Sequence, residues 1–441
     1  MNVHNDGTQL PVAGWWEICA RVVQVVGVLV RSTLRLCWSS GHALVTGRGL
    51  ADARNAWLVN TITDLGPAFI KLAQMLSTRQ DLVSPKICAA LAGLYDDVRP
   101  IPVSDLLPLL ELRLGQRFAQ AVRRDVGAVA AGSIACVYRA TLPDGRAVAV
   151  KVRRPGIERV LGTDLAIMRR TARLLARTPK LRGVPVVEIM TQLTESVYRQ
   201  LDFANERDSL ERLRHNLKGF PEVRVPRVYP ELCGEDIVVM EFVDDLRRLR
   251  PTDLTAERRE QAVISALRAV YQMLFKDGLV HCDLHPGNLY LRPDGSVVIV
   301  DAGFTVQLRP LAQDKFASFF HHMTKGNGQR CAEIVLSTAT AGSGRDSAGF
   351  CRELCALVER STGASAADFD LVSFASQLFD IQRRYGLYAD PQFVFPILSL
   401  LVLEGTVRDF APDIDFQQEA VPFLVNGTLE RAVRAWQATL G

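Results

Sequence analysis

The sequence contains no long uninterrupted apolar run. A membrane-spanning helix needs about 20 consecutive, predominantly apolar residues. The apolar stretch 393–407 falls short of that length. The apolar stretch 15–38 is interrupted by four polar residues: Arg21, Gln24, Arg31 and Arg35. No signal-peptide cleavage pattern follows it, so we predict a cytoplasmic protein without a spanning segment.

Paired cysteines and a strong charge excess are also missing. The nine cysteines form no C-x-x-C pair and their number is odd, so reduced thiols are expected and a zinc site is not. A formal net charge of +4 spread over 441 residues gives no basis for nucleic-acid binding. The length suits either several domain-sized units or one large two-lobed enzyme.

The stretch 15–38 has the pattern of an amphipathic helix. At about 100° per residue, its four polar residues fall within an arc of roughly 80°. Apolar residues fill the rest, and tryptophans stand at both ends. One interpretation is a helix lying in a membrane interface. The other is a helix docked on the protein's own core.

Chemistry-bearing residues cluster in the stretch 281–288, which reads H-C-D-L-H-P-G-N, and at Asp301. Between them, two apolar segments joined by a Pro-Asp-Gly turn predict a β-hairpin, which would bring Asp283 and Asn288 close to Asp301. Such oxygen ligands suit Mg²⁺, which takes one or two carboxylates plus phosphate oxygens. This pattern is typical of phosphoryl transfer, with Asp283 as the base and Asn288 and Asp301 as metal ligands.

A strand with a single lysine precedes that stretch. Residues 147–152, A-V-A-V-K-V, follow a strand–turn–strand pattern that contains Ala131, Gly132 and Ser133. A kinase has its phosphate loop and strand lysine in this order, so we predict that these loop residues and Lys151 bind nucleotide. The loop has one glycine where a typical kinase has three, and an edge strand with a solvated lysine is the alternative.

A helix predicted from residue 187 to about 217 supplies the partner of that lysine. Glu206 is the candidate ion-pair partner of Lys151, and Asp202 is expected one turn earlier on the same face. The last strands of the small lobe are predicted at 223–228 and 237–243. Backbone groups of three consecutive residues are expected to meet the adenine of ATP: Met240, Glu241 and Phe242.

Residues 52–115 are predicted to form several helices. In the segment 66–79, one helix face carries apolar residues: Phe69, Leu72, Ala73 and Leu76. Lys71 and Gln74 lie three apart on a neighbouring face. A solvated polar face is the simple interpretation of that pair.

These segments resemble the UbiB-like atypical kinases, a family named for ubiquinone biosynthesis, over nearly the whole chain. The matching residues are Phe69–Gln74, Ser77–Arg79, Ala131–Ile134, Val148–Val152, Leu201–Phe203, Glu206, His281–Asn288, Asp301 and Leu403–Gly405. The lysine–glutamine helix is specific to this family. The motif in 281–288 alone also occurs in small-molecule kinases such as aminoglycoside phosphotransferases.

The resemblance implies an α+β, two-lobed protein-kinase-like fold, with an N-terminal helical extension over the active site and a mostly helical C-lobe. The predicted domains are a membrane-associating segment 1–50, a helical extension 51–115, an N-lobe 116–243 and a C-lobe 244–441. The resemblance also implies that Lys71 and Gln74 lie on a lid and face the acidic motif at Asp202.

The chain departs from the family pattern at four positions: Ala73 for Gly, Gln200 for Glu, Cys136 for Gln and Gly132 for Ala. The phosphate-site residues are intact, so ATP and Mg²⁺ are the expected cofactors. The departures bear on the geometry of the lid and on regulation.

The expected function is an atypical kinase or ATPase that supports isoprenoid-quinone or related lipid metabolism, by ATP hydrolysis rather than protein phosphorylation. The expected partners are a membrane surface, to which the protein binds peripherally, a lipid or quinone-type small molecule, and enzymes of lipid biosynthesis. Two alternatives stay open: a nucleotide-binding scaffold that hydrolyses little ATP, and a small-molecule kinase.

Overall fold

A computed structural model of the chain describes residues 14–46, 50–77, 79, 82–91, 94, 100–116, 118–119, 127–178, 186–248, 255–284, 288–341, 346–362, 370–411 and 413–440. One compact unit spans Met1–Arg146 and Val150–Leu201, and a second spans Ala147–Ala149 and Asp202–Gly441. The four domains predicted from the sequence stay a prediction. Within the described ranges, none of the helices combines the length and the apolar character needed to cross a membrane.

The first unit is mostly helical. Its elements are α1 (Trp15–Thr46), α2 (Leu50–Leu65), α3 (Pro67–Ser77), α4 (Pro85–Leu91), α5 (Val103–Leu114), β1 (Gly127–Ala131), β2 (Ala135–Thr141), β3 (Ala147–Arg153), α6 (Ile157–Leu175) and α7 (Val186–Leu201). The first three residues of β3 belong to the second unit. β1 pairs antiparallel with β2, ending at Ala131 opposite Cys136, so the predicted strand–turn–strand is confirmed.

Helix α3, which carries Lys71 and Gln74, is packed between two apolar clusters. Ala68 and Leu72 belong to a buried cluster with Ile134 of the β1–β2 loop and with residues of α6 and α7. Ala73 belongs to a second cluster with Leu91 and Leu94. Burial on two sides holds this short helix in place, because a buried leucine contributes about 1.5–3 kcal/mol and each buried methyl group of an alanine roughly 0.8 kcal/mol.

Helix α1 is docked on the first unit through its polar stripe. Arg21 donates from Nε to Oδ1 of Asp164 at 2.6 Å and from Nη2 to Oδ2 at 2.8 Å, and Nη2 also donates to the carbonyl of Leu65. Asp164 on α6 is 1% exposed. Further along α1, Nη1 of Arg35 donates to Oδ2 of Asp64 on α2 at 2.9 Å. Arg21 and Arg35 of the polar stripe therefore bond to the protein, whereas Gln24 and Arg31 are exposed.

The opposite face of α1 is apolar and exposed. Its large exposed side chains are Trp15, Trp16, Val22, Val23, Val26, Leu29, Val30, Leu34 and Trp38. The helix does dock on the protein, through Arg21 and Arg35 together with the buried Ile18 and Ser32, while most of its large apolar side chains stay exposed. The interpretation as a membrane-interface helix stays a prediction.

The second unit combines small sheets with helices. Its helices are α8 (Phe203–Asn216), α9 (Ala256–Tyr271), α10 (Pro310–Thr324), α11 (Gly328–Thr338), α12 (Ser347–Thr362), α13 (Leu371–Arg384), α14 (Pro391–Phe410) and α15 (Phe416–Leu440), with a π-helix at Gln272–Asp277. Its strands are β4 (Val223–Arg224), β5 (Ile237–Glu241), β6 (Arg247–Arg248), β7 (Leu279–His281), β8 (Leu289–Leu291), β9 (Val297–Ile299), β10 (Thr305–Gln307), β11 (Ala339–Ala341) and β12 (Leu387–Ala389). This composition confirms the α+β fold class.

The hairpin predicted after residue 288 is confirmed as β8–β9, with Leu289 opposite Ile299 and Leu291 opposite Val297. It belongs to a sheet of order β4-β9-β8-β6, and β7 pairs antiparallel with β10. One expectation is wrong: Val223 and Arg224 pair parallel with β9 rather than completing the small-lobe sheet. Val228, beyond β4, bridges antiparallel to Met240 of β5.

The helix predicted over 187–217 is two helices, α7 and α8, separated at Asp202. The side chain of Asp202 caps α8 by accepting from the backbone N–H of Asn205 at 3.0 Å. An aspartate satisfies such an N-terminal N–H well, so a chain with continuous helical periodicity breaks here. Asp202 is therefore exposed at a helix start, whereas Glu206 is fully buried, and the two do not share one face of a continuous helix.

We predict that Arg21→Met destabilises the protein by about 3 kcal/mol, because it leaves the buried carboxylate of Asp164 without its charged partner. The matched control is Arg35→Met, whose ion pair with Asp64 is exposed and should contribute about 0–1 kcal/mol. Urea unfolding measures both free energies. The double variant Arg21→Met/Asp164→Leu should recover part of the loss, and equal losses for the two arginines would contradict the assigned anchor.

Candidate active site

The imidazole of His281 joins two segments of the candidate site. It is fully buried at the end of β7. Nε2 lies 2.6 Å from the carbonyl oxygen of Asp301, and the backbone N–H of Asp283 donates to Nδ1 at 3.3 Å. Because Nδ1 accepts, the ring is neutral and Nε2 carries the proton that is donated to Asp301. Sequence reasoning missed this role, although the residue opens the motif.

Asn288 holds the other end of the same loop. Its side-chain Nδ2 donates to the backbone carbonyl of Asp283 at 2.8 Å. Its backbone carbonyl accepts from the N–H of Val300 at 3.2 Å. The amide oxygen is therefore the end of this side chain that is suited to a cation. The motif residues His285, Pro286 and Gly287 lie outside the described residues.

Two carboxylates approach each other beside Gly303. The Oδ1 of Asp301 accepts from the N–H of Gly303 at 2.8 Å. A Cβ at this glycine would lie 3.3 Å from Oδ1 of Asp301 and 3.4 Å from Oε2 of Glu206. The glycine thus permits a close approach that a larger residue would crowd. Asp283, Asn288 and Asp301 are gathered around His281, and Glu206 lies beside Asp301. Their roles in binding metal and nucleotide stay a prediction.

Lys151 lies on the outward row of β3. Val148, Val150 and Val152 are fully buried on one face, and Lys151 is half-buried on the other. In the sheet of order β1-β2-β3-β5 the strand lies between β2 and β5, so the edge-strand alternative is wrong. Lys151 belongs to the first unit and Glu206 to the second, and their ion pair stays a prediction.

Arg154 fixes the loop predicted to bind phosphate. Its Nε donates to the carbonyl of Gly132 at 2.8 Å and its N–H donates to the carbonyl of Ile134 at 2.8 Å. The N–H of Gly132 donates to the carbonyl of Ala135 at 2.8 Å. Ser133 is buried. Nothing in the sequence pattern singled out Arg154, because one arginine after a strand carries no local signal.

The departure at Cys136 falls on the inward row of β2. Cys136, Tyr138 and Ala140 are buried at alternate positions. The hydroxyl of Tyr138 donates to the carbonyl of Ile101 at 2.7 Å, and burial raises the pKa of that hydroxyl. Cys136 therefore contributes to the core of the first unit, where a small apolar side chain fits.

The predicted lid residues are placed on α3. Nε2 of Gln74 donates to the carbonyl of Leu94 at 3.1 Å, and Lys71 is half-buried. Ala73, where the family has glycine, packs into the cluster with Leu91 and Leu94. Since Asp202 belongs to the second unit, the expected approach of Lys71 and Gln74 to it stays a prediction, and Gln200 lies in the last turn of α7.

The predicted adenine-binding segment is partly engaged within the second unit. The N–H of Glu241 donates to the carbonyl of Arg227 at 2.7 Å, and the N–H of Phe242 donates to the carbonyl of Ala147 at 3.2 Å. The carboxylate of Glu241 pairs with Arg224, and Met240 is buried. These two N–H groups are therefore engaged by carbonyl groups of the same unit, and adenine binding by this segment stays a prediction.

Comparison with known proteins agrees with a kinase-type fold. A model of the ABC1 atypical kinase-like domain matches residues 93–335, and the chain belongs to this family. It is 30% identical over 390 residues to a probable protein kinase UbiB of Pseudomonas fluorescens (strain SBW25), covering 86% of this chain and 72% of that protein. A probable protein kinase UbiB of Pseudomonas aeruginosa (strain LESB58) is 30% identical over 434 residues, covering 96% and 78%. The predicted UbiB-type family is thereby confirmed.

Among solved structures, this chain is similar to the protein chain in the Rv3197–erythromycin complex from Mycobacterium tuberculosis. The identity is 20%, the match covers 84% of this chain and 98% of that one, and the TM-score is 0.48. A similarity of this degree supports no conclusion about function.

Proposed function

We propose that this atypical kinase binds ATP with Mg²⁺ and hydrolyses ATP slowly, in support of isoprenoid-quinone or related lipid metabolism at a membrane. The observation that carries the proposal is the gathering of Asp283, Asn288 and Asp301 around His281. The name of these relatives, probable protein kinase UbiB, supports kinase-type chemistry. The link to quinones rests on the resemblance to that family.

In this proposal Asp283 orients or deprotonates the nucleophile. Lys151, held by Glu206, neutralises phosphate charge, and the loop of Ala131, Gly132 and Ser133 lies along the phosphates. The rigid backbone around His281 fixes where Asp283 stands before ATP arrives. Such preorganisation lowers the cost of stabilising charge that develops during phosphoryl transfer.

The residues present fit a magnesium ion held together with ATP. Within the part of the chain that the structure describes, no three His, Cys, Asp or Glu side chains form a protein-only metal cluster. Mg²⁺ bound with a nucleotide needs only one or two carboxylates, because phosphates and water complete its shell. Asp301 and the amide oxygen of Asn288 would hold it, and the ion would screen the phosphate charge.

The membrane part of the proposal rests on α1. Monomers rarely expose large contiguous apolar patches, and the exposed face of α1 carries tryptophans at both ends, as interfacial helices do. Arg21 and Arg35 are engaged with carboxylates of the same chain. Apolar insertion, rather than attraction of these arginines to anionic lipid, is therefore the main expected contribution.

We predict that Asp301→Asn weakens ATP binding in magnesium buffer by at least about tenfold, the scale of losses at metal sites. The fold should persist, because an asparagine oxygen can still accept from the N–H of Gly303. Asp294→Asn, at the exposed turn of the same hairpin, is the matched control for the lost charge. Calorimetry measures the affinity, and an unchanged value for Asp301→Asn would contradict the assigned ligand.

A second prediction concerns the reaction. With labelled ATP, the protein should release phosphate slowly and transfer little label to added proteins, and liposomes or a lipid-like ligand that displaces the lid should raise the rate. Asp283→Asn and Lys151→Ala should lower hydrolysis by about a hundredfold or more. ATP binding without hydrolysis in either condition would favour the scaffold alternative. Efficient labelling of added proteins would make the chain a protein kinase.

A third prediction tests α1 at the membrane. Val30→Asp, on the exposed apolar face of α1, should reduce sedimentation with liposomes, because placing a charged side chain within the lipid is unfavourable. Val372→Asp on α13 replaces another exposed valine and should leave sedimentation unchanged. Point variants are preferable to removing residues 1–48, which would also take Arg21 away from Asp164. Equal sedimentation of all three proteins would show that α1 does not bind lipid.

A further inference from the structure

The segment that leads into the catalytic motif is a π-helix. Helix α9 ends at Tyr271 and continues as the π-helix Gln272–Asp277, whose closing bond runs from the N–H of Gly278 to the carbonyl of Met273. Gly278 has a φ of +63° and turns the chain into β7, which ends at His281. Single π-helical turns occur often at functional sites, and this one lies three residues before His281.

The chain leaves the helix at Gly278, so the last carbonyl groups of the π-helix have no helical N–H to accept from. Side chains from other elements satisfy them, and Nε2 of Gln307 on β10 donates to the carbonyl of Asp277 at 3.0 Å. Nε2 of Gln313 on α10 lies 3.2 Å from the carbonyl oxygens of Leu274 and Phe275 and 3.4 Å from that of Lys276. Nη1 of Arg431 on α15 donates to the carbonyl of Phe275.

Close packing holds this arrangement. A Cβ at Gly427 of α15 would lie 2.1 Å from the carbonyl oxygen of Phe275, so the two backbones are in direct contact. A Cβ at Gly278 would lie 2.8 Å from Oε1 of Gln313. Gln313 is 7% exposed and the side chain of Arg431 is 12% exposed. These donors therefore stand where water has little access to replace them.

We propose that Arg431 and Gln313 are positioning residues for the candidate active site. By satisfying the carbonyls of the π-helix they fix the point at which Gly278 starts β7. That point sets the position of His281, whose ring contacts the backbone of both Asp283 and Asp301. The link to ATP hydrolysis rests on the proposed function, whereas the effect of these two residues on the π-helix and on the start of β7 does not.

The competing explanation is that Arg431 merely docks α15. Nε of Arg431 also donates to Oδ1 of Asp314 on α10 at 2.6 Å, and a second ion pair, Arg268 with Glu419 at 2.7 Å, anchors α15 independently. Asp314→Asn removes the charge partner and leaves the bond to Phe275. Glu419→Gln weakens the docking of α15 away from the π-helix. Both variants are therefore matched controls.

The experiment measures kcat and KM for ATP hydrolysis and the thermal midpoint for Arg431→Met, Gln313→Met, Asp314→Asn and Glu419→Gln in the full chain. Arg431→Met and Gln313→Met should each lower kcat by about tenfold or more, with KM nearly unchanged, since small displacements of reacting groups cost that much. The two controls should lower the thermal midpoint while kcat stays near that of the wild type. Gln313→Met keeps the test decisive if Arg431→Met does not fold.

Hydrogen exchange gives a readout that needs no activity. In Arg431→Met and Gln313→Met, amides of residues 272–283 should exchange at least about tenfold faster than in the wild type, and in the controls they should not. If the wild type hydrolyses no ATP, the proposed function fails while the exchange data still decide the inference. Equal losses of kcat in the controls, or unchanged exchange in Arg431→Met and Gln313→Met, would overturn it.

Discussion

The second unit depends on the buried imidazole of His281. One ring nitrogen donates to the carbonyl of Asp301 and the other accepts from the N–H of Asp283, and a neutral ring has one donor and one acceptor for these two bonds. The backbones of Asp283 and Asp301 are thus both hydrogen-bonded to one rigid ring. Asn288 and Gly303 add one further bond on each side. A proton added to the ring would replace an acceptor by a donor and break the arrangement.

The first unit depends on a different interaction, the pairing of Arg21 with the buried Asp164. Two parallel charge-assisted bonds define an orientation as well as an attraction, and here they turn Arg21 inward while most large apolar side chains of α1 stay exposed. The same guanidinium reaches the carbonyl of Leu65, just before α3. One side chain of α1 therefore bonds both to α6 and to the end of α2.

Much of the fold and of the candidate site could be predicted from short-range patterns. The Pro-Asp-Gly turn predicted the β8–β9 hairpin, and alternation in 147–152 predicted β3 with its single lysine. The break at Asp202 could not be predicted, because the helical spacing of the apolar residues continues through this position. The single capping hydrogen bond that ends the first helix there has no counterpart in that spacing. The partner of β4 could not be predicted either, since pairing with β9 depends on contacts between distant segments.

The sequence by itself determined the kinase-type motifs, their order and the residue types able to hold phosphate and magnesium, because turn chemistry and periodicity act over a few residues. Only the tertiary structure decided which face of α1 is exposed, that Arg154 holds the carbonyl of Gly132, and that Arg431 and Gln313 satisfy the π-helix. Each of these is a side chain bonded to groups on another element. Such bonds leave no local pattern, because packing must first bring the donor and acceptor together.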